Sequence, residues 1–213
     1  MSGDIGGARV VLATRNQHKV VELRKILADV LAAAGVHVDL ETAVVGVPDD
    51  VPDVVESGVT FTANALLKAR AVSVATGLPA LADDSGLAVD VLGGSPGVFS
   101  ARWAGRHGDD RANLELLLQQ LGDVPDEHRD AGFVCAAALV RPDGQEVVEL
   151  GHLRGTLERA PRGDGGFGYD PILRVDDHRT LAELSPAEKN AISHRGNAMR
   201  ALAPHVLAVL TAG

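Results

Sequence analysis

The sequence predicts an α/β protein, because strand-like and helix-like segments alternate along the chain. The apolar run "VVLA" from Val10 precedes "VVELRKILADVLAAAG", whose apolar residues recur at helical spacing. A second helix is capped by Thr60 and stopped by Gly77, and the strand "PALA" follows it. A third begins at the capping box "SPAE" from Ser185. Between them, "DDRANLELLLQQL" predicts a helix and "RPDG" marks a hairpin turn.

Composition limits the class of protein. The 213 residues are 46% apolar and no stretch is typical of a linker, so we expect one domain over residues 1–213. Neither a secretory signal nor a run of about 18 apolar residues is present, which predicts a cytoplasmic protein without a membrane partner. Cys135 lies in the apolar run "FVCAAALV", where a buried side chain is expected. The net charge of −9 argues against a nucleic-acid partner, so a phosphate ligand must meet local cations or a metal.

The first motif is "TRNQHK", between the first strand and the first helix. A helix N-terminus offers free N–H groups and a positive dipole end, and Lys19 in the first turn would add a full charge. The motif lacks the glycines and the Gly-Lys-Ser/Thr ending of a Walker P-loop. It therefore indicates either an anion site or an ordinary helix start, since Thr14 and Asn16 are also common capping residues.

The second motif joins a helix to a pair of carboxylates. Lys68 and Asn64 are four residues apart and share one helical face, and "PALA" then delivers "DDSG". The adjacent Asp83 and Asp84 at a strand end repel each other unless a cation or a proton intervenes, which suits Mg²⁺. Glu56 could supply a further carboxylate. The alternative is an Asx-type turn without a ligand.

The third motif follows the capping box at Ser185. Lys189, Ser193 and Asn197 fall at successive i,i+4 positions and are expected to form one stripe of a single helix. His194 and Arg195 flank that stripe. These residues could contact a nucleotide, or they could form an ordinary exposed polar face.

The loop "FGYDPI" after "RGDGG" concentrates two of the five Phe and Tyr residues of the chain. Phe167 and Tyr169 could form a pocket wall, with an aromatic face for a flat base and glycines for close backbone approach. The alternative is a tight turn with both rings packed beneath it.

Together these segments resemble the inosine triphosphate pyrophosphatase family, whose members hydrolyse aberrant purine nucleoside triphosphates. The resemblance rests on "TRNQHK", "FTANALLKARA", "LADDSGLAVDVLGGSPGVFSARWAG", "GGFGYDPI" and "ELSPAEKNAISHRG", in that order and over nearly the full chain. It implies an elongated mixed sheet flanked by helices, two lobes with an active-site cleft between them, and a homodimer. This chain departs from the family at Ala63, where Glu is frequent, and at Arg15, where Gly is frequent.

The resemblance also implies a role for each matching residue at the phosphate end. Glu56 and Asp84 would hold Mg²⁺, and Asp84 would be the proton acceptor. Lys19 would be catalytic as well as a phosphate donor, and Lys68 would add to the cationic lining. The triphosphate would contact Thr14, Arg15, Asn16, Gln17, His18 and Lys19.

The resemblance further implies that Ser85 contacts the substrate and that Lys189 completes the cationic lining with Lys68. His194 and Arg195 would read the purine. The nucleoside wall would consist of Phe167, Gly168, Tyr169 and Asp170.

The expected reaction is Mg²⁺-dependent hydrolysis of ITP, dITP or XTP to the monophosphate and pyrophosphate. Water would attack the α-phosphorus, with charge on the leaving pyrophosphate stabilised by the metal and by Lys19. One alternative is a related pyrophosphatase for modified pyrimidine or ordinary nucleotides. Another is a nucleotide-binding sensor without hydrolysis, which the absence of Glu at Ala63 suggests.

Overall fold

The computed structural model describes residues 6–211, apart from the side chain of His18. The described chain forms two compact units. The first unit consists of residues 6–84, 136–151 and 195–211, and the second of Ser85–Cys135 and His152–His194. That all 213 residues act as one functional domain stays a prediction.

A six-stranded mixed sheet organises the chain, in the order β2-β1-β3-β4-β5-β6. Strand β1 pairs in parallel with β2 and with β3, whereas β5 and β6 are antiparallel. The strands are β1 (Val10–Leu12), β2 (Val44–Gly46), β3 (Ala80–Val89), β4 (Asp130–Val140), β5 (Glu146–Leu157) and β6 (Leu173–Arg174). The predicted α/β class, with a mixed sheet flanked by helices, is confirmed.

Six α-helices lie between residues 6 and 211, and the four predicted from the sequence occur among them in the expected order. The six helices are α1 (Gln17–Ala33), α2 (Leu40–Ala43), α3 (Phe61–Thr76), α4 (Asp110–Gln120), α5 (Pro186–Ile192) and α6 (His194–Thr211). Across residues 6–211, no helix is both long and apolar enough to cross a membrane.

Several predicted boundaries are confirmed by the local hydrogen bonds. The Thr60 side chain accepts from the Ala63 N–H to cap α3, and Gly77 ends that helix at φ 69°. The capping box from Ser185 to Glu188 opens α5. The hairpin between β4 and β5 turns at Gly144, whose N–H donates to the Arg141 carbonyl.

Small side chains in the first unit bring α3 close to the sheet. Ala65 and Ala69 pack against Ala82 of β3 and against Ala136 and Ala138 of β4. Close packing leaves no room for larger side chains between these elements. Polar residues of α3 next to this alanine contact can therefore reach β3.

The core of the second unit is built from larger residues. Leu87 of β3, Leu117 of α4, Phe133 of β4, Tyr169 and Ile172 belong to one buried apolar cluster. The Tyr169 hydroxyl donates to the Ser100 carbonyl at 2.9 Å, as expected for a buried tyrosine. The loop carrying Phe167 is therefore anchored from below by Tyr169.

Two predictions about local structure are wrong. "DDSG" is not a turn at a strand end, because β3 continues through Asp83 and Asp84 to Val89. The expected single helix after Ser185 is interrupted, because Ser193 adopts an extended conformation with ψ 141° and separates α5 from α6. Lys189 and Asn197 consequently lie on different helices, and the predicted stripe does not form.

Candidate active site

The two adjacent aspartates of β3 have separate sets of partners. Successive side chains of a strand point to opposite faces, and here each carboxylate contacts different cations. Asp83 contacts Lys19 and Arg195, whereas Asp84 contacts Lys68 and Asn64. The predicted repulsion between the neighbours is thus relieved by cations on both sides of the strand.

Asp83 is buried and accepts hydrogen bonds from two helices. Lys19 Nζ, from the first turn of α1, lies 3.0 Å from Oδ1 and 3.1 Å from Oδ2. Arg195 Nε, from the first turn of α6, lies 3.0 Å from Oδ2. Burial alone would raise the pKa of Asp83, but Lys19 and Arg195 hold that pKa well below its usual range. Asp83 is therefore a charged anchor for two of the predicted substrate-binding side chains.

Asp84 is half-buried and faces α3. Asn64 Nδ2 donates to Oδ2 at 3.1 Å, and Lys68 Nζ lies 3.3 Å from Oδ1. Lys68 also lies 2.8 Å from Glu56 Oε1, so a single ammonium group bridges the two predicted metal ligands. The predicted common face of Asn64 and Lys68 is confirmed by their shared contact with Asp84.

The pKa values of Asp84 and Lys68 are both raised, for different reasons. Burial raises the pKa of Asp84, the contacts with Lys68 and Asn64 oppose that rise, and the negative charge of Glu56 adds to it. Burial pushes the pKa of Lys68 down, but Asp84, Glu56 and Asp83 outweigh burial and raise it above its usual 10.5. Asp84 is thus a stronger base than an exposed aspartate, and Lys68 stays cationic.

Asn64 is held in place by the loop that precedes α3. The Gly58 N–H donates to Asn64 Oδ1 at 2.8 Å, which directs the Asn64 amide nitrogen toward Asp84. A Cβ at Gly58 would lie 2.5 Å from Asn64 Oδ1 and 2.8 Å from the Ala63 Cβ. Glycine is therefore required at position 58 for this close approach.

The "TRNQHK" segment forms the predicted strand-to-helix turn, and α1 begins at Gln17. Thr14 Oγ1 accepts from the Asn16 N–H at 3.1 Å, which is a local turn contact. Arg15 is paired with Asp53 and donates to the Val51 carbonyl at 2.6 Å, so its contacts are with the loop before α3. Gln17 is exposed. The predicted contact of the His18 side chain lies outside the described residues.

The loop from Phe167 to Asp170 is organised by one buried carboxylate in the second unit. Asp170 Oδ2 accepts from the Phe167 N–H at 2.7 Å and from Lys189 Nζ at 2.5 Å. Lys189 Nζ also lies 4.8 Å from the centre of the Phe167 ring, within range of a cation–π contact. The Phe167 ring is 66% exposed, whereas Tyr169 is 4% exposed. Phe167 alone of the two rings is thus available to stack on a ligand.

Glycines fix the shape of this loop. Gly166 has φ +75°, and a Cβ there would lie 2.9 Å from Asp170 Cγ and closer still to Oδ2. Gly168 also has a positive φ, and its N–H donates to Asp110 Oδ2 at 3.0 Å. Asp110, in the first turn of α4, thereby ties the loop to that helix.

His194 and Ser85 are the remaining predicted site residues of the second unit. The His194 ring stacks on Phe133 of β4, with ring centres 4.8 Å apart and an interplanar angle of 14°. Ser85 follows Asp84 in β3 and is partly buried. His194 also begins α6, next to Arg195.

Comparison with known proteins identifies the chain. Residues 10–205 match the family model described as the Ham1 family. This chain belongs to the Ham1 family. The family predicted from the sequence motifs is thereby confirmed.

Individual Ham1 relatives align with this chain over nearly the full length of both proteins. It is 63% identical to a Streptomyces coelicolor protein named dITP/XTP pyrophosphatase, over 95% of this chain and 98% of that protein. A Coxiella burnetii HAM1 structure superposes with a TM-score of 0.82 at 41% identity, covering 93% and 98% of the two chains. A Mycobacterium abscessus structure titled nucleoside-triphosphatase / dITP/XTP pyrophosphatase has a TM-score of 0.74 at 51% identity, covering 92% and 98%.

Sequence reasoning missed three side chains that support the predicted site of this Ham1 protein. Asp83 was named only as half of a carboxylate pair, yet it anchors both Lys19 and Arg195. Phe133 is the platform for His194, and Asp110 holds the loop at Gly168. The capping pattern before α4 marks Asp110 as a first-turn acid, but no sequence signal connects Phe133 or Asp110 with these partners.

Proposed function

We propose that this chain is a Mg²⁺-dependent pyrophosphatase that converts dITP, XTP and ITP to the monophosphate and pyrophosphate. The prediction of a nucleoside triphosphate pyrophosphatase is confirmed by relatives named dITP/XTP pyrophosphatase at 57–63% identity. The residue roles rest on one observation, that the adjacent Asp83 and Asp84 of β3 have different partners. Asp83 holds two cations suited to a phosphate and a base, while Asp84 is a half-buried carboxylate beside Lys68 and Glu56.

The phosphate end of the substrate is assigned to the first unit. Lys19 lies in the first turn of α1, where its charge adds to the positive end of the helix dipole. Lys19 and Arg195 together carry one more charge than Asp83 neutralises, so this cluster is locally cationic in a chain of net charge −9. A triphosphate therefore meets favourable charge at Lys19 despite the acidic protein.

The carboxylates beside Lys68 fit Mg²⁺. Among residues 6–211, no group of three or more His, Cys, Asp or Glu side chains is poised to hold a metal, so an all-protein metal cage is absent there. Mg²⁺ keeps several waters and is commonly bound by one or two carboxylates plus substrate phosphates, which Glu56 and Asp84 can provide. When bound, Mg²⁺ would neutralise phosphate charge and polarise the phosphoryl oxygens.

Asp84 is assigned as the proton acceptor or as the carboxylate that orients the attacking water. Burial raises its pKa, which strengthens it as a base. As the water oxygen forms its bond to the α-phosphorus, one water proton passes to Asp84. The bond between the α-phosphorus and the oxygen that bridges it to the β-phosphorus breaks, and this oxygen leaves with pyrophosphate. Lys19 stabilises the charge that develops on the departing pyrophosphate.

The base end is assigned to Phe167, His194 and Arg195. The exposed Phe167 ring offers a stacking face, and Lys189 and Asp170 fix the backbone and ring that present it. Tyr169 and Asp170 are buried, which favours support of the loop over direct contact with the base. Arg195 is always a hydrogen-bond donor, so it suits the 6-oxo group of inosine and xanthosine and leaves the 6-amino group of adenosine unmatched.

The decisive experiment is a panel of triphosphates with Mg²⁺, with pyrophosphate detected through added inorganic pyrophosphatase and the nucleotide product identified by chromatography. We expect dITP, XTP and ITP to give monophosphates far faster than dATP or the pyrimidine triphosphates. Equal rates with pyrimidine triphosphates would favour the broader pyrophosphatase over a purine-specific enzyme. Binding of a triphosphate without any product would favour a nucleotide sensor. A diphosphate product would exclude attack at the α-phosphorus.

We also propose that the enzyme is cytoplasmic, homodimeric and without a nucleic-acid partner. The net charge of −9 supports the last point, and the dimer is carried over from the family resemblance. Sedimentation velocity of the purified chain tests the dimer, since a single species of monomer mass at assay concentration would contradict it.

A further inference from the structure

The geometry points to Asp83 as a positioning residue that couples recognition of the triphosphate to recognition of the base, by holding Lys19 and Arg195 on one carboxylate. This inference rests on the proposed function, which assigns Lys19 to the phosphate end and Arg195 to the base end. Asp83 itself touches neither end in this role. It acts through the two cations.

The first support is the sharing of a single oxygen atom. Lys19 Nζ lies 3.1 Å and Arg195 Nε 3.0 Å from the same Oδ2 of Asp83, so the two nitrogens cannot be farther apart than the sum of these distances. Two cations this close would repel each other without the carboxylate between them. Movement of one cation therefore changes the hydrogen bond of the other.

The second support is burial. The side chain of Asp83 is 4% exposed, whereas those of Lys19 and Arg195 are 27% and 18% exposed. Screening by water is weak at such a buried carboxylate. The anchored end of each cation is thus fixed inside the protein, while part of each side chain remains open to a ligand.

The three side chains also come from three different secondary-structure elements. Lys19 and Arg195 lie in the first turns of α1 and α6, and Asp83 lies within β3. Two helices and the sheet are consequently tied at one carboxylate. When a phosphate draws Lys19 away from Asp83, the hydrogen bond from Arg195 to Asp83 changes. The position of the Arg195 donor relative to the base changes as a result.

The test is Asp83→Asn, measured at both ends of the substrate. Base recognition is reported by the ratio of kcat/KM for dITP to that for dATP. Phosphate recognition is reported by competitive inhibition with inorganic tripolyphosphate, which has no base. We expect the dITP preference to fall about tenfold, which lies within the range for residues in one salt-bridge network, and the inhibition constant of tripolyphosphate to rise.

The matched control is Asp90→Asn, which removes the exposed carboxylate that pairs with Arg154 just after β3. It should change neither quantity. If Asp83 is only a counter-ion, Asp83→Asn will tighten tripolyphosphate binding and leave the dITP preference intact, which would overturn the inference. A change at one end alone would overturn it equally, because coupling requires both.

A second variant keeps the inference testable if Asp83→Asn does not fold. Arg195→Lys keeps the positive charge beside Asp83 but removes the Nε donor, so a change in tripolyphosphate binding must pass through Asp83 to Lys19; we expect the inhibition constant to change about threefold or more. Arg200→Lys, at an exposed arginine on the same helix, is the matched control. Equal inhibition constants in these two variants refute the coupling. A parent protein that hydrolyses no triphosphate would instead refute the proposed function.

Discussion

Gly166→Ala should damage the loop proposed to bind the base, through a single added atom. Gly166 has φ +75°, a left-handed conformation that costs an L-residue about 1–2 kcal/mol. The added Cβ would also lie 2.9 Å from Asp170 Cγ and 3.0 Å from its Cβ. Asp170 would have to move, although it is buried and bonded to the Phe167 N–H and to Lys189.

The expected magnitude follows from these two effects. Loss of one hydrogen bond to the charged Asp170 adds about 1.5–3 kcal/mol to the backbone strain. Gly168→Ala is the matched control, because Gly168 has φ +59° but a Cβ there meets nothing within 4 Å. That control should show the strain alone, about 1–2 kcal/mol.

Urea unfolding of both variants gives the stability difference, and kcat/KM for dITP gives the effect on the loop. We expect Gly166→Ala to be the less stable of the two and to have the larger KM for dITP, because Phe167 loses its backbone anchor. The double variant Gly166→Ala with Asp170→Ala should be less destabilised than the sum of its single changes, since the close contacts with Asp170 Cγ and Oδ2 are removed. Equal stability of Gly166→Ala and Gly168→Ala would refute the reasoning.

Three further outcomes are expected. Asp84→Asn should keep the circular dichroism spectrum of the parent and lose most hydrolysis of dITP, since an amide neither accepts the proton nor carries the charge; near-parental turnover would exclude Asp84 from both roles. Lys19→Ala should lower kcat and raise KM for dITP together, because its charge serves the ground state and the transition state, whereas the same change at the exposed Lys25 of α1 should alter neither. The stabilisation from ionised Asp83, whose pKa is depressed, is complete above its usual pKa of 3.8 and is lost as pH falls through the lower folded value. The difference in unfolding free energy between parent and Asp83→Asn should therefore be largest near neutral pH and shrink in acid, and a pH-independent difference would contradict the pairing.

Much of the local structure could be predicted because its signals are local. Thr60, Gly77 and Ser185 act on hydrogen bonds within a few residues, and each boundary they predict is confirmed. The break at Ser193 carries no comparable signal, since the residues around it would also suit a continuous helix.

The site could be predicted as a set of residues but not as a set of contacts. The partners of Asp83 lie 64 and 112 residues away, so tertiary packing alone decides which of them it meets. Periodicity does place Asn64 and Lys68 on one face, and both reach Asp84 because the alanines beside them bring α3 close to β3. The loop fits the pocket-wall prediction at Phe167, which is exposed, and the packed-turn prediction at Tyr169, which is buried.

The continuation of β3 through the acidic pair explains how neighbouring carboxylates can have different chemistry. A turn would leave both side chains free to share one cation, whereas strand alternation sends them to different partners. Lys19 and Arg195 depress the pKa of Asp83, and burial with Glu56 raises that of Asp84. Opposite shifts in paired carboxylates are typical of sites that separate a permanent charge from a working base. Asp83 accordingly stays ionised and holds the two cations, whereas the raised pKa of Asp84 supports its proposed role as the proton acceptor.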